Sequence, residues 1–214
     1  MLKVKEYTPI SSSDGVMHRD AGVADGLALK EWAVAIRALD AGDQILLLRK
    51  GGIVEETKDF RVRGTSFFLY PTYEHQKKEL VKPGWHRQLE ETLRDREVPP
   101  TEVEITHAAR VVEDIELQDE AALANLVDLH IWTEDYASQR LHWRPYKPLH
   151  VLAVRVYRLD EPRILPVRET YLGCTSWIRL EDQVSSRGVP VLGDQEFRER
   201  LEAVHRRVGW AGTP

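Results

Sequence analysis

The sequence holds a single cysteine, Cys174, in 214 residues, so no disulfide can form within the chain. A lone thiol is typical of a protein from a reducing compartment, and it excludes a zinc site built from several thiolates. No apolar run approaches the roughly 18–20 residues that a membrane helix needs. The first residues also lack the apolar stretch of a secretory signal. These absences predict a cytoplasmic protein with no membrane partner.

The motifs of the common enzyme classes are missing as well. The chain contains no GxxxxGK(S/T) phosphate loop, no GxGxxG fingerprint, no GxSxG elbow and no HExxH metal motif. Its eight histidines show no recognised spacing of metal ligands. The sequence therefore indicates no cofactor and no metal site, and it leaves open whether the chain is an enzyme.

Charge is distributed unevenly along the chain. The net charge of −5 argues against a generic, charge-driven nucleic-acid coat. Residues 90–135 carry fourteen acidic side chains against three arginines, which is most simply a solvated face. Residues 136–159 contain five lysines or arginines and no acid. This acid-free run is the best electrostatic indication of an anionic ligand.

The hydrophobic pattern predicts strands early and late in the chain and helices in between. Two apolar runs, 32–39 and 44–49, flank the turn sequence Asp-Ala-Gly-Asp and predict a β-hairpin. Further strands are expected at 67–70, 103–112, 149–158 and 175–180. Helices are expected at 86–97, 118–130, 133–141 and 194–208.

This order of elements predicts an α+β fold. Strands and helices do not alternate regularly, so a mixed, largely antiparallel curved sheet with flanking helices is expected. A PUA-like, partly closed barrel is compatible with the same order. Residues 1–26 show no periodicity and predict an irregular lead-in, and residues 27–214 are expected to form a single domain.

One candidate site follows the strand predicted at 67–70. Tyr70, Tyr73, Glu74, His75 and Gln76 cluster where the chain leaves the sheet, a common place for binding loops. A Glu–His pair could perform acid–base chemistry, and tyrosine with glutamine could stack on and hydrogen-bond a base. A plain loop with one or two tyrosines in the core explains the pattern equally well.

Basic side chains provide a second group of candidates. Arg49 and Lys50 precede Gly51 and Gly52, and such flexible positions allow close approach to phosphates. Nearby acids dilute their charge, so a polar strand end is the simpler interpretation.

The segment 141–148 combines two prolines with aromatic and basic residues. Trp143, Arg144 and Lys147 would suit unpaired bases and phosphates, and Arg155 lies in the strand that follows. A rigid connection with its aromatics packed inward is the alternative. Cys174 could act as a thiol nucleophile, although a free cysteine is more often a small buried apolar residue.

Several of these segments resemble an uncharacterised prokaryotic family, domain of unknown function 1802. The similar segments are 28–36, 48–53, 68–76 with its Pro-Thr-Tyr-Glu-His-Gln motif, 148–157 and 171–177, within about residues 27–182. Some members of that family are joined to an Mrr-type restriction-endonuclease domain. The resemblance therefore implies a link to DNA restriction, with such a nuclease as a partner.

The leading hypothesis is a nucleic-acid-binding module that reads a modified or flipped base in DNA or RNA. In it Tyr70, Tyr73 and Trp143 stack on bases, and Glu74, His75 and Gln76 read a base edge. The phosphates would be held by Arg49, Lys50, Arg144, Lys147 and Arg155.

Two alternatives stay open. One is a hydrolase or nucleotide-processing enzyme that uses Glu74 and His75, supported by Cys174 or a metal. The other is a protein-interaction domain whose acidic middle binds a basic partner.

Overall fold

A computed structural model of the chain describes residues 2–7, 19–50, 64–94, 98, 100–143, 146–173 and 175–210. Within these ranges eight strands form one sheet, flanked by five α-helices. The strands are β1 Lys3–Glu6, β2 Leu27–Trp32, β3 Leu46–Arg49, β4 Ser66–Thr72, β5 Glu102–Leu117, β6 Leu149–Pro166, β7 Trp177–Arg179 and β8 Gly188–Pro190. The helices are α1 Ala33–Asp40, α2 His86–Leu93, α3 Glu120–Ala124, α4 Glu134–His142 and α5 Asp194–Val208.

A long antiparallel pair, β5 and β6, organises the sheet. The strands contain 16 and 18 residues and pair along nearly their whole length. The strand order is β3-β6-β5-β4-β2-β7, with β1 added to β5 and β8 to β6. β2 and β4 run parallel, and the other pairings among the described residues are antiparallel. The predicted α+β class with a mixed, largely antiparallel curved sheet is confirmed.

The sheet curls strongly into a half-barrel. Arg49 at the end of β3 donates a hydrogen bond from Nη1 to the carbonyl oxygen of Lys30 in β2, at 3.2 Å. These strands are four places apart in the sheet order, so the bond spans the concave face. That face is filled by side chains from six strands, including Leu47, Leu69 and Leu152, and Trp177 packs edge-on against Phe67 with ring centroids 5.1 Å apart.

Two register shifts in the β5–β6 pairing accompany changes in the face that the β5 side chains occupy. Between Ile105 and His107 the pairing advances two residues on β5 and five on β6, whereas between Val111 and Glu113 it advances two on β5 and one on β6, so only the second shift is a one-residue bulge in β5. Side chains alternate along a regular strand, so an interruption of the pairing changes which face the following side chains occupy. Ile105 packs on the convex face, whereas Val111, six residues further along the strand, faces the concave core. On a regular strand, two side chains an even number of residues apart would share a face. After the second shift Ile115 is again on the convex face.

Helices α3, α4 and α5 cover part of the convex face. Phe197 and Val204 of α5 pack in one apolar cluster with Ile115 and Val151 of the sheet. Trp132 stacks on Tyr136 of α4 in the same cluster, with ring centroids 4.4 Å apart. The sheet therefore has a packed layer on each side.

The predicted hairpin at 32–49 is wrong, because residues 33–40 form α1. Its alanines favour a helix, and the helix is buried on almost every side, so the run shows no polar face that would reveal its period. The Asp-Ala-Gly-Asp sequence ends this helix instead of turning a hairpin. Gly42 has a φ of 74° and donates its N–H to the carbonyl of Leu39. The second predicted strand does form, as β3, but it pairs with β6.

Most of the other predicted elements are confirmed. Helix α5 has the predicted bounds, and the hydroxyl of Thr133 caps α4 by accepting from the N–H of Tyr136 at 3.3 Å. The helix expected at 118–130 is shorter, with α3 followed by a 3₁₀ turn at Val127–Leu129. Within the lead-in 1–26, residues 3–6 form β1 and pair with β5. In the described ranges, no helix is both long and apolar enough to cross a membrane.

The close approach of β8 to β6 gives a stability test. A Cβ added at Gly188 would lie 2.1 Å from the carbonyl oxygen of Arg158, so the backbone of one strand must move. We expect Gly188→Ala to lower the free energy of unfolding by about 1–3 kcal/mol, measured by urea denaturation. Gly84→Ala is the control, because a Cβ there meets nothing within 4 Å, and its change should stay within about 0.5 kcal/mol. Equal losses in the two variants would contradict this packing.

Candidate active-site groove

An open groove of about 470 Å³ lies at one end of the concave face. A volume of this size suits a small organic ligand. Its apolar surface comes from Ala33, Ile36, Pro71, Tyr73, Val103 and Ile164. Its polar surface comes from α1, α2 and the first residues of β5, through Arg37, Asp40, Glu91, Thr92, Glu102, Glu104, Thr106 and His107.

A chain of hydrogen bonds runs along the groove wall from a hydroxyl through an imidazole to a carboxylate. Thr106 Oγ1 lies 2.7 Å from His107 Nδ1, and His107 Nε2 lies 2.9 Å from Asp40 Oδ1. Arg158 completes the array, since its Nε donates to Asp40 Oδ1 and its Nη2 donates to the Asp40 carbonyl oxygen at 2.5 Å. The four residues form one connected network.

Local backbone structure explains why these side chains converge. At the register shift between Ile105 and His107, the neighbours Thr106 and His107 both line the groove, whereas neighbours on a regular strand point to opposite faces. Arg158 is the direct partner of His107 on β6. Asp40 is the last residue of α1, so the helix delivers its carboxylate to the sheet.

Electrostatics fix the protonation of the pair. Burial lowers the pKa of His107, and the opposing effect of the Asp40 carboxylate does not compensate. Burial tends to raise the pKa of Asp40, but hydrogen bonds from His107 and Arg158 outweigh this and hold it below the usual aspartate value. At neutral pH the imidazole is therefore neutral and Asp40 is ionised. Nε2 must carry the proton donated to Asp40, so Nδ1 is free to accept from Thr106.

This arrangement has the parts of an activated nucleophile. A neutral imidazole nitrogen faces a hydroxyl, and a carboxylate holds the other nitrogen in the required tautomer. The roles match those in hydroxyl–imidazole–carboxylate triads, with the two ring nitrogens exchanged. Arg37 adds a cation on the same groove, where its Nη1 lies 3.0 Å from Glu91 Oε2.

The loop after β4 contributes less to the groove than its sequence suggests. Tyr70 is buried against Tyr171, with ring centroids 5.8 Å apart, and burial raises its pKa to about 12. Tyr73 is buried and lines the groove. Glu74 and His75 are exposed and are not part of the groove lining, and His75 has a φ of 58°. Gln76 is partly buried and donates to the Thr72 carbonyl.

Three of the predicted phosphate ligands have partners within the protein. Arg49 Nη1 lies 3.3 Å from Glu31 Oε2, and both side chains are largely buried. Lys50 is only 4% exposed and donates from Nζ to the Leu141 carbonyl, and burial lowers its pKa. Arg155 pairs with Asp194 at the start of α5.

The segment before β6 is more exposed. Tyr146 is 72% exposed, and Lys147 Nζ lies 5.7 Å from the centre of its ring. Trp143 is partly buried. Arg144 and Cys174 lie outside the described residues. The structure therefore brings Trp143, Tyr146 and Lys147 into one short stretch, apart from the residues that line the groove.

Sequence reasoning missed Asp40, Thr106 and His107. One signal was present in the strand, where apolar residues alternate at 103 and 105 and then resume at 108 and 109. That change of phase at Thr106 and His107 indicates an irregularity in the strand, and such irregularities are frequent beside active sites. No such signal marks Asp40, which resembles an ordinary turn residue.

A second cavity, of about 30 Å³, has room for about one water molecule. It is lined by His130, whose pKa is lowered to about 4 by burial and then by Lys82. Across the described ranges no group of three or more His, Cys, Asp or Glu side chains is arranged to hold a metal ion.

The lowered pKa of His107 predicts a pH-dependent stability. The folded state binds this proton less readily than the unfolded state, so stability falls as the pH drops below the ordinary value of about 6.5. We expect His107→Gln to lose less stability than the wild type between pH 7 and pH 5, measured by urea denaturation. His130 remains in both proteins and keeps part of the dependence. Identical losses over this interval would contradict a lowered pKa at His107.

A comparison with known families matches most of the chain. The family model described as domain of unknown function, DUF1802, matches residues 28–203, which include the whole array of Asp40, Thr106, His107 and Arg158. Neither a curated protein nor a solved structure gives a match. The chain belongs to the DUF1802 family.

Proposed function

We propose that the protein is a hydrolase in which Thr106 is the nucleophile and His107 the general base. The observation that carries this proposal is the hydrogen-bond chain from Thr106 through His107 to Asp40 on the wall of an open groove. An Asp–His pair alone could serve only to tie α1 to the sheet. Thr106, however, adds a hydroxyl on the groove side, which such a tie does not need.

The first half-reaction follows from the geometry. Thr106 Oγ1 attacks the carbonyl carbon of an ester or amide, and its proton passes to His107 Nδ1 over the 2.7 Å hydrogen bond. The imidazolium that forms is stabilised by Asp40, whose own charge is fixed by Arg158. His107 then gives the proton to the leaving alcohol or amine, which departs and leaves an acyl group on Oγ1.

Water completes the reaction by the reverse sequence. His107 removes a proton from a water molecule, whose oxygen attacks the acyl carbon. The proton then returns to Oγ1 as the acid leaves, so the hydroxyl and the neutral imidazole are restored. Arg37 is the cation on the groove that can stabilise the negative charge of each tetrahedral intermediate.

A fluorophosphonate probe tests the nucleophile without knowledge of the substrate. Oγ1 would bond to phosphorus, fluoride would leave, and the proton would go to His107. We expect labelling of Thr106 in the wild type and in Thr106→Ser, and none at this position in Thr106→Ala, measured by peptide mass spectrometry. His107→Gln should slow labelling by about a hundredfold or more, the usual contribution of a general base. Asp40→Asn should slow it as well.

Thr101 provides the matched control. It is exposed and lies just before β5. Thr101→Ala should label like the wild type. An unlabelled Thr106 in a folded wild-type protein would overturn the proposed nucleophile.

A second function, nucleic-acid binding, is favoured by the exposed ring of Tyr146 beside Lys147. An exposed aromatic ring beside a cation suits base stacking together with a phosphate contact. The family resemblance adds the implied link to DNA restriction, with an Mrr-type nuclease as partner and a modified base as the feature read. In this proposal Trp143 extends the same surface.

Fluorescence anisotropy with short duplex DNA, single-stranded DNA and RNA, with and without modified cytosine, tests this surface. Stacking of one base on Tyr146 predicts that Tyr146→Ala weakens binding by about five- to a hundredfold. Lys147→Ala should reduce the salt dependence of binding. Val189→Ala removes an exposed apolar side chain on β8 and should leave affinity unchanged. Absence of binding at low salt would reject this function and leave the groove proposal intact.

A further inference from the structure

We propose that the groove selects acyl substrates that carry a cation, such as esters or amides of lysine-like and arginine-like groups. This inference rests on the proposed hydrolase and names its substrate class. It concerns Glu102 and Glu104, two carboxylates that precede Thr106 on the same face of β5 and line the groove.

In the part of the chain that the structure describes, these carboxylates lack an ion-pair partner. Among the described residues, no lysine, arginine or histidine forms an ion pair with either one. Their direct partners on β6 are apolar, since Glu104 faces Ile164 and Glu102 faces Pro166. The remaining groove glutamate, Glu91, is paired with both Arg37 and Arg87. The uncompensated negative charge therefore lies at the Glu102–Glu104 end.

The spacing along β5 sets where the substrate cation would lie. A strand advances about 3.3 Å per residue, so Glu104 is about 7 Å from the nucleophile along the strand and Glu102 about 7 Å further. An extended chain of five or six bonds spans about 7 Å. A lysine-like side chain whose carbonyl is at Thr106 therefore places its ammonium group beside Glu104.

The groove also offers apolar surface for the stem of such a side chain. Ile164 is 66% exposed and lies across from Glu104 on the neighbouring strand. Pro71 and Tyr73 also line the groove. Long cationic side chains bury their methylene stems on apolar surface while the charged end stays near water. Apolar lining with acids at one end is complementary to this shape.

Two fluorophosphonates of equal chain length, one ending in an ammonium and one in a methyl group, test the inference. The rate at which each labels Thr106 is followed by mass spectrometry. We expect the ammonium probe to react at least about fivefold faster at low salt, with the difference shrinking as salt is added. The double variant Glu102→Gln with Glu104→Gln should lose this preference. Glu161→Gln, an exposed acid on β6 outside the groove lining, is the control and should keep the preference.

The outcomes separate the two proposals. Equal labelling of Thr106 by both wild-type probes would overturn the cationic substrate class while retaining the nucleophile. A preference that survives in the double variant would also overturn it. Absence of labelling by either probe would overturn the hydrolase itself.

Discussion

The pairing of β5 with β6, and the two places where it slips, is the constraint on which the rest of the structure depends. Without interruption, two strands of 16 and 18 residues would keep each set of alternating side chains on one continuous, twisted face. The two register shifts interrupt that alternation, and one strand supplies Ile105 to the convex face, Val111 to the concave core and Ile115 to the helical layer. Thr106 and His107, two polar neighbours at the first shift, both line the groove. Curvature, core and site therefore share one cause.

The fold class could be predicted from sequence because its signals are local. The strand at 149–158, the helix at 194–208 and the cap at Thr133 each depend on residues close together in the chain. Helix α1 was missed because it is apolar on nearly every side, which removes the polar face that distinguishes a helix from a strand. The residues that pack around α1 belong to other strands and helices, and no local sequence pattern reveals which ones they are.

The candidate site could not be predicted because its residues are far apart in the sequence. Asp40 and His107 are 67 residues apart, and Asp40 and Arg158 are 118 apart. Their contact exists only once α1 has docked onto the curled sheet. Of the three, only His107 is buried, and its burial is tolerated because both ring nitrogens have hydrogen-bond partners. The array is therefore a consequence of the complete fold.

The same argument changes the meaning of the charge pattern. The acid-free run at 136–159 suggests a positively charged surface that attracts anions. However, Arg155 pairs with Asp194, 39 residues away, and Arg158 pairs with Asp40. In the acidic stretch, Glu90 and Glu91 pair with Lys78 and Arg37. Charge that is segregated along the sequence is thus partly neutralised in three dimensions. The carboxylates of Glu102 and Glu104 differ because their cross-strand neighbours are apolar, so their charge persists at the groove, where it can act on a ligand.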